Sequence, residues 1–149
     1  MARLNARELR AWQALLHAHH DVTQRLDSEL RSQHGLTLAA YDVLLRLARA
    51  PDHVLRMTDL AERVMAPPST LTRRVDRLVA DGLVARDRAA VDSREMLARL
   101  TEPGRRLLLR AARTHLRGIR EHYTGRLSEE QLEAVAEGLE AISGPHRPH

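Results

Sequence analysis

Hydroxyl, guanidinium and aliphatic side chains alternate in residues 66–78, APPSTLTRRVDRL. Pro68 suits the first position of a helix, where its missing N–H would have no intrahelical partner. In such a helix, aliphatic side chains at spacings of three and four form one buried face: Leu71, Val75, Leu78 and Val79. The remaining faces carry the polar side chains: Ser69, Thr70, Thr72, Arg73 and Arg77, with Arg74 near the border. Arginines and hydroxyls bind phosphates and base edges, so this pattern favours contact with a polyanion.

A simpler explanation for these arginines is a solvated face with local ion pairs. Arg73 with Asp76, or Arg77 with Asp81, would each contribute ~0.2–0.5 kcal/mol. The neighbouring segments favour the polyanion. A short helix is predicted to end before Pro67 and a hairpin pattern follows, so the arginine helix is the second of a helix-turn-helix, the one that enters a major groove.

A second basic cluster lies in the hairpin pattern. Residues 83–87 and 95–100 are typical of short strands, and arginines flank the loop between them: Arg86, Arg88 and Arg94. Asp92 is placed to pair with Arg94 and stiffen the loop. A stiff loop that carries an arginine suits a narrow minor groove, where the potential is more negative. For a hairpin in isolation, a solvent-facing turn is the simpler interpretation.

Helices are predicted on the N-terminal side of these clusters. Apolar spacing predicts a long helix over residues 5–32, and Gly35 is a favourable residue for ending it. Thr37 is predicted to cap a second helix, which Pro51 stops. Residues 54–57 are predicted to be extended.

Thr58 is predicted to cap a short helix after the extended segment. Beyond the hairpin, Thr101 is predicted to cap a long helix over residues 102–123. Ser128 and Gln131 form a capping box that opens a final helix. We therefore predict a mainly α fold with a small β-hairpin wing (α+β), which is a winged helix-turn-helix.

The predicted elements divide the chain into two regions. Residues 37–101 are the expected winged helix-turn-helix domain for DNA binding. Residues 1–36 and 102–149 are expected to form a helical dimerisation region, because their long apolar stripes exceed what the small winged unit can cover. The length of 149 residues fits one domain, or one compact unit that shares its core with a second copy.

Composition excludes several classes of function. The sequence has no Cys, which removes disulfides, thiolate metal sites and thiol nucleophiles. It has no apolar run long enough for a membrane span and no signal-peptide pattern, so we expect a cytoplasmic protein without a membrane partner. No glycine-rich phosphate loop, nucleophile elbow or apolar pair of carboxylates is present, so an enzyme is not expected, nor is a cofactor.

Nine histidines raise the alternative of a metal sensor. His17 and His20 are three residues apart in one predicted helix, and His115 and His122 are seven apart in another. No nearby pattern completes four ligands, so no metal site is predicted, although a metal-responsive regulator stays an alternative. Trp12, the only Trp, is expected to pack in the core or at a dimer interface.

The sequence resembles the MarR (multiple antibiotic resistance regulator) family of bacterial transcription regulators. Two stretches carry the resemblance: STLTRRVDRLVADGLVARD at residues 69–87 and DSREMLARLTEPGRRLL at residues 92–108. The resemblance implies a homodimer whose second helix-turn-helix helix reads a major groove while the wings reach minor grooves. It assigns DNA contacts by position: Ser69, Thr70, Thr72, Arg73, Arg74, Arg77, Arg86, Arg88, Asp92 and Arg94.

The resemblance also implies regulation by a small molecule, often phenolic or anionic, bound between the dimer helices and the winged domain. Trp12, His20 and Tyr41 are the candidate pocket residues. Our main hypothesis is a ligand-responsive, dimeric repressor that binds an inverted repeat in double-stranded DNA. The alternatives are a sequence-indifferent architectural DNA-binding protein and a helical ligand-binding or catalytic protein that does not bind DNA.

Overall fold

Six helices and three strands make up residues 3–89 and 94–144, which the computed structural model describes. The helices are α1 (Ala6–His34), α2 (Leu38–Arg49), α3 (Met57–Arg63), α4 (Pro68–Ala80), α5 (Glu102–His122) and α6 (Glu129–Ser143). The strands are β1 (Val54–Arg56), β2 (Val84–Arg88) and β3 (Met96–Leu100). Short 3-10 turns follow α2 and α5, at Pro51–His53 and Thr124–Arg126. The predicted fold class and element order are confirmed.

Capping residues fix where the helices begin and end. The Asn5 side chain accepts bonds from first-turn N–H groups of α1, and the Asn5 N–H donates to Glu8 at 2.6 Å. Gly35 ends α1 with φ 63°, a left-handed conformation that costs glycine little. Three further caps form as predicted: Thr37 on α2, Thr101 on α5 and Ser128 on α6.

The predicted cap of α3 is wrong. This helix begins at Met57, one residue before Thr58, and its N-cap residue Arg56 makes no side-chain capping bond. Arg56 is still extended, with φ −64° and ψ 143°, because it also ends β1. The strand therefore runs directly into the helix, and Thr58 lies inside the first turn.

The sheet has the order β1–β3–β2, with β3 in the centre and both pairings antiparallel. Leu55 of β1 lies opposite Ala98 of β3, and Val84 of β2 lies opposite Leu100. The hairpin of β2 and β3 was predicted. The pairing of β1 with β3 was not, because about 40 residues of chain separate the two strands and only the tertiary fold brings them together.

The core of the winged unit lies between the sheet and α2, α3 and α4. Its side chains are aliphatic and fully or nearly fully buried: Val43, Leu44, Leu47, Leu60, Leu71, Val75, Val84 and Ala98. No phenylalanine is available, so leucine and valine fill this space. The packing fixes α4 against the rest of the unit along its whole length.

Helix α5 leaves the winged unit and packs against α1. Two glycines allow close approach along its buried face. A Cβ on Gly104 would overlap the backbone of Leu83, and one on Gly118 would lie 2.7 Å from a methyl group of Leu26. Glycine is required at position 104, where the obstacle is backbone, whereas a side chain at position 118 would make the ends of the Leu26 and Glu29 side chains move.

Apolar side chains at the N-terminal half of α1 and along α6 stay exposed in the single chain. Trp12 is 53% exposed and Ile142 is 77% exposed. Others on these helices are exposed as well, namely Leu9, Leu15, Leu16 and Leu139, and so is Leu4, which precedes α1. Among the described residues, no helix combines the length and the apolar character needed to cross a membrane.

Candidate nucleic-acid interface

A tight turn connects α3 to α4 and sets the angle between them. Met65 adopts φ 52°, an unusual left-handed conformation for a residue with a side chain. The Ala66 N–H donates to the Ala61 carbonyl at 3.1 Å and closes the end of α3. Two prolines follow, and α4 begins at the second of them, Pro68, as predicted.

Helix α4 has one buried face and one polar face. Leu71 and Val75 are fully buried and Leu78 is nearly so. Val79 was predicted on the same face, but it is 36% exposed, so that prediction is wrong. Val79 lies at the edge of the stripe that Leu71, Val75 and Leu78 form around the helix. The residues predicted on the polar faces are exposed or partly exposed: Ser69, Thr70, Thr72, Arg73, Arg74 and Arg77.

The N-terminus of α4 presents backbone donors to solvent. Pro67 is the N-cap and makes no side-chain capping bond. Pro68 has no N–H, so Ser69 and Thr70 provide the first donors of the helix. First-turn N–H groups and the positive end of the helix dipole favour an anion such as phosphate.

The ion pairs of the simpler explanation, Arg73 with Asp76 and Arg77 with Asp81, do not form among the described residues. Asp76 pairs instead with Arg86 of β2, at 2.9 Å, and Arg86 also donates to the Thr72 carbonyl at 3.4 Å. These bonds connect the hairpin to the arginine helix. Within residues 3–89 and 94–144, Arg73 and Arg77 form no ion pair. Two guanidinium groups one helical turn apart are thus available to a ligand.

Arg86 therefore has a structural contact that sequence reasoning missed. The sequence signal for it is weak, because Asp76 and Arg86 lie on different elements ten residues apart. The pair is partly exposed, with side-chain exposures of 28% for Arg86 and 56% for Asp76. Such a pair contributes little to stability, up to ~1 kcal/mol, and its effect is to orient the hairpin on α4.

Polar contacts also organise the hairpin. Arg99 of β3 donates two bonds to one carboxylate oxygen of Asp87, at 2.7 and 2.9 Å. The Ala89 N–H donates to the Glu95 carbonyl at 3.0 Å and holds the two strands together beyond β2. Arg88 and Arg94 are exposed on either side of the loop. Asp92, the expected partner of Arg94, lies outside the described residues.

A cleft of about 940 Å³ lies between α1, α2, α5 and the start of the helix-turn-helix. Tyr41 and His115 line it, and their ring centroids are 4.5 Å apart. Burial raises the pKa of the Tyr41 hydroxyl and lowers the pKa of the His115 imidazole. Arg74 of α4 also lines the cleft, so an occupant would touch the DNA-binding unit directly.

The three residues expected in an effector pocket do not lie together. Tyr41 lines this cleft, whereas Trp12 and His20 are not among its lining residues. Both lie on the exposed N-terminal part of α1. From the sequence, His115 is a candidate metal ligand only. The residues around it in the chain do not indicate that it is buried next to Tyr41.

Comparisons with known proteins agree with this geometry. A family model described as the MarR family matches residues 34–95. The chain is similar to Sco3205, a MarR family transcriptional regulator from Streptomyces coelicolor solved in complex with DNA. The identity is 31%, the TM-score is 0.91, and the match covers 96% of this chain and 89% of the other.

Two further relatives extend the comparison. AbsC, a MarR family transcriptional regulator from Streptomyces coelicolor, has a TM-score of 0.90 at 29% identity, and the match covers 96% of each chain. The HTH-type transcriptional repressor YetL from Bacillus subtilis is 35% identical over 71 residues. That match spans 48% of this chain and 42% of the length of YetL.

Proposed function

The chain belongs to the MarR family of transcription regulators, and from this premise we propose that it acts as a homodimeric repressor at an inverted-repeat operator. Helix α4 of each copy reads a major groove, and the hairpin of β2 and β3 reaches the adjacent minor groove. Because its partner is DNA, the compartment we propose is the cytoplasm. The family points to regulation rather than catalysis.

One observation carries this proposal. Arg73 and Arg77 are exposed one turn apart on α4 and form no ion pair among the described residues, while the opposite face of α4 is fixed in the core. An arginine in this position donates two bonds to a guanine edge or contacts a phosphate. Ser69 and Thr70 precede them, where short hydroxyls reach bases, which favours a specific site over an architectural role.

The exposed apolar side chains on α1 and α6 support the homodimer. A stripe that includes Trp12 and Leu16 is too apolar to stay in water over its whole length. Pairing of the terminal helices, residues 1–36 and 102–149, about a two-fold axis would bury it. Two-fold symmetry places the two α4 helices at half-sites about 34–36 Å apart.

The cleft between α1, α2 and α5 supports regulation by a small molecule. Its aromatic pair of Tyr41 and His115 suits a flat ring, and Arg74 on its lining suits a negative charge, whereas Arg46 there is paired with Asp42 at 3.2 Å. A phenolic or anionic effector fits both features. Such a ligand changes DNA affinity only if it binds the DNA-competent and incompetent arrangements differently.

Selection of bound sites from random duplex DNA with the purified full chain tests the proposal. We expect an enriched inverted repeat, whose bound form survives competition by unrelated duplex at fixed salt. Arg73→Ala should weaken binding to that site by about 1–3 kcal/mol, roughly 5- to 150-fold. Arg110→Ala, an exposed arginine on α5, is the matched control and should leave affinity unchanged.

Two outcomes would count against the proposal. Enrichment of no motif, with equal affinity for any duplex, would favour the architectural alternative. Equal affinity of the Arg73→Ala variant and the unmodified chain for the selected site would mean that α4 is not the reading helix.

A further inference from the structure

A polar cluster lies far from the DNA-binding face, where α1 packs against the last turn of α5. Nε2 of His122 lies 2.5 Å from Oε1 of Glu29. Glu121 supplies a third ligand atom, and the three atoms lie within 4.8 Å of one another. Among the described residues, His17, His20 and His115 belong to no such group.

The bond between Glu29 and His122 leaves two buried polar atoms unsatisfied. The His122 side chain is only 8% exposed, and its Nδ1 has no hydrogen-bond partner in the described part of the chain. Oε2 of Glu29 is also buried and without a partner there. Because an unsatisfied buried carboxylate oxygen costs free energy, Oε2 of Glu29 calls for a donor or a cation in addition to His122.

Gly118 makes room for the Glu29 carboxylate against α5. A Cβ at this position would lie 2.8 Å from Oε2 of Glu29. The glycine lies one helical turn before His122, so the carboxylate rests on the backbone of α5 beside the imidazole. The absence of a side chain at Gly118 therefore leaves room for the carboxylate in the helix contact.

The electrostatics at this end of α5 favour a cation. Glu29 and Glu121 bring two carboxylates, and the C-terminal carbonyl groups of α5 add the negative end of its dipole. Arg120 is next to Glu121 in the sequence, and Arg126 donates its Nε–H to the Glu121 carbonyl at 3.0 Å. That arginine satisfies the backbone at the helix end.

We propose that Glu29, Glu121 and His122 form a binding site for a divalent transition metal, with Zn²⁺ as the best-suited ion. Imidazole nitrogen and carboxylate oxygen are both ligands of Zn²⁺, and such sites bind it more tightly than Mn²⁺ or Fe²⁺. Three protein ligands leave a fourth position open. A bound ion would bridge α1 and α5 and stabilise their contact by mass action, independently of DNA binding.

Titration of the chelator-treated, dialysed full chain with ZnCl₂, followed by calorimetry, tests the site. We expect one Zn²⁺ per chain and a higher thermal unfolding temperature in its presence. Glu121→Gln changes an exposed side chain and keeps its shape, and it should weaken Zn²⁺ binding at least about tenfold. His122→Gln should weaken binding at least as much. The double variant His17→Gln/His20→Gln is the control and should bind Zn²⁺ like the unmodified chain.

Several results would overturn the site. These are a dissociation constant above about 1 mM for the unmodified chain, unchanged affinity in Glu121→Gln, or a loss of binding in the His17/His20 double variant. Circular dichroism of each variant shows whether it is folded. If the buried His122→Gln variant does not fold, the exposed Glu121→Gln variant still decides the matter.

Discussion

The winged unit and the terminal helices of this chain differ in how much of their apolar surface is buried. In the winged unit, leucines and valines from α2, α3, α4 and the sheet close on one another and leave the polar side of α4 facing out. On the N-terminal half of α1 and on α6, large apolar side chains stay exposed, whereas Leu26 and Leu30 farther along α1 are buried. The first region completes its core within one chain, and the second needs more surface than one chain supplies.

The largest effect on stability is expected from substitutions that compare the buried face of α4 with its exposed polar face. Leu71→Ala removes a fully buried side chain of α4 and should lower the free energy of unfolding by about 2–5 kcal/mol. Its neighbour Thr72 is exposed, and Thr72→Ala should stay within about 0.5 kcal/mol of the unmodified chain. Urea denaturation followed by circular dichroism measures both. Equal losses in the two variants would contradict the assignment of faces on α4.

A smaller effect is expected from a substitution on the terminal helices. It concerns dimer formation and should therefore depend on protein concentration. Trp12→Ala truncates a side chain that is 53% exposed in the single chain. If the homodimer buries it, each copy loses about 1.5–3 kcal/mol of contact, so the dimer dissociation constant should rise at least about tenfold. Sedimentation equilibrium measures this constant.

The neighbouring residue supplies the control for that comparison. Gln13 is exposed on α1, and Gln13→Ala should leave the dissociation constant within about twofold, as is usual for surface changes. An unchanged constant in Trp12→Ala would mean that α1 does not form the dimer contact through this side chain.

The smallest effect concerns Asp27, which joins the two regions. Its carboxylate on α1 accepts the Leu38 N–H of α2 at 2.8 Å and pairs with Arg31 at 2.6 Å. Burial raises the pKa of Asp27, but these partners outweigh burial, so the pKa lies below its ordinary value. A carboxylate with a lowered folded pKa stabilises the folded chain above its unfolded pKa, and this stability is lost as the pH falls through the folded value.

Asp27→Asn should therefore be less stable than the unmodified chain near neutral pH. The difference should be below about 1 kcal/mol, because the group is partly exposed and screened by solvent. It should shrink as the pH falls below about 4. Urea denaturation at several pH values measures it, and a difference that grows on acidification would have the wrong sign.

Local signals account for what the sequence predicted well. Gly35, Thr37 and Ser128 act on the backbone within a few residues. Their effect on helix ends therefore follows from the local sequence alone. The polar face of α4 follows from helical spacing. Val79 fails because it lies at the edge of the helical stripe, where spacing alone does not decide whether a side chain is buried.

Contacts between distant parts of the chain account for what was missed. The pairing of β1 with β3 and the bond between Glu29 and His122, 93 residues apart, have no local signature. The bond from Arg86 to Asp76 is closer in sequence but crosses from a strand to a helix. A short extended segment such as β1 needs a partner strand for its backbone N–H and C=O groups. This requirement is the only indication in the sequence that β1 joins the sheet.

Arg73 and Arg74 are adjacent in the chain, yet they face different surroundings. Arg73 points to the solvent where DNA is proposed to bind, and Arg74 lines the cleft beside Tyr41. Helix α4 has 13 residues and a length of roughly 20 Å, so it moves as one stiff rod. Under the proposed function, a bound molecule that moves α4 through Arg74 would move Arg73 with it, so that the cleft and the DNA-binding face are coupled through a single helix.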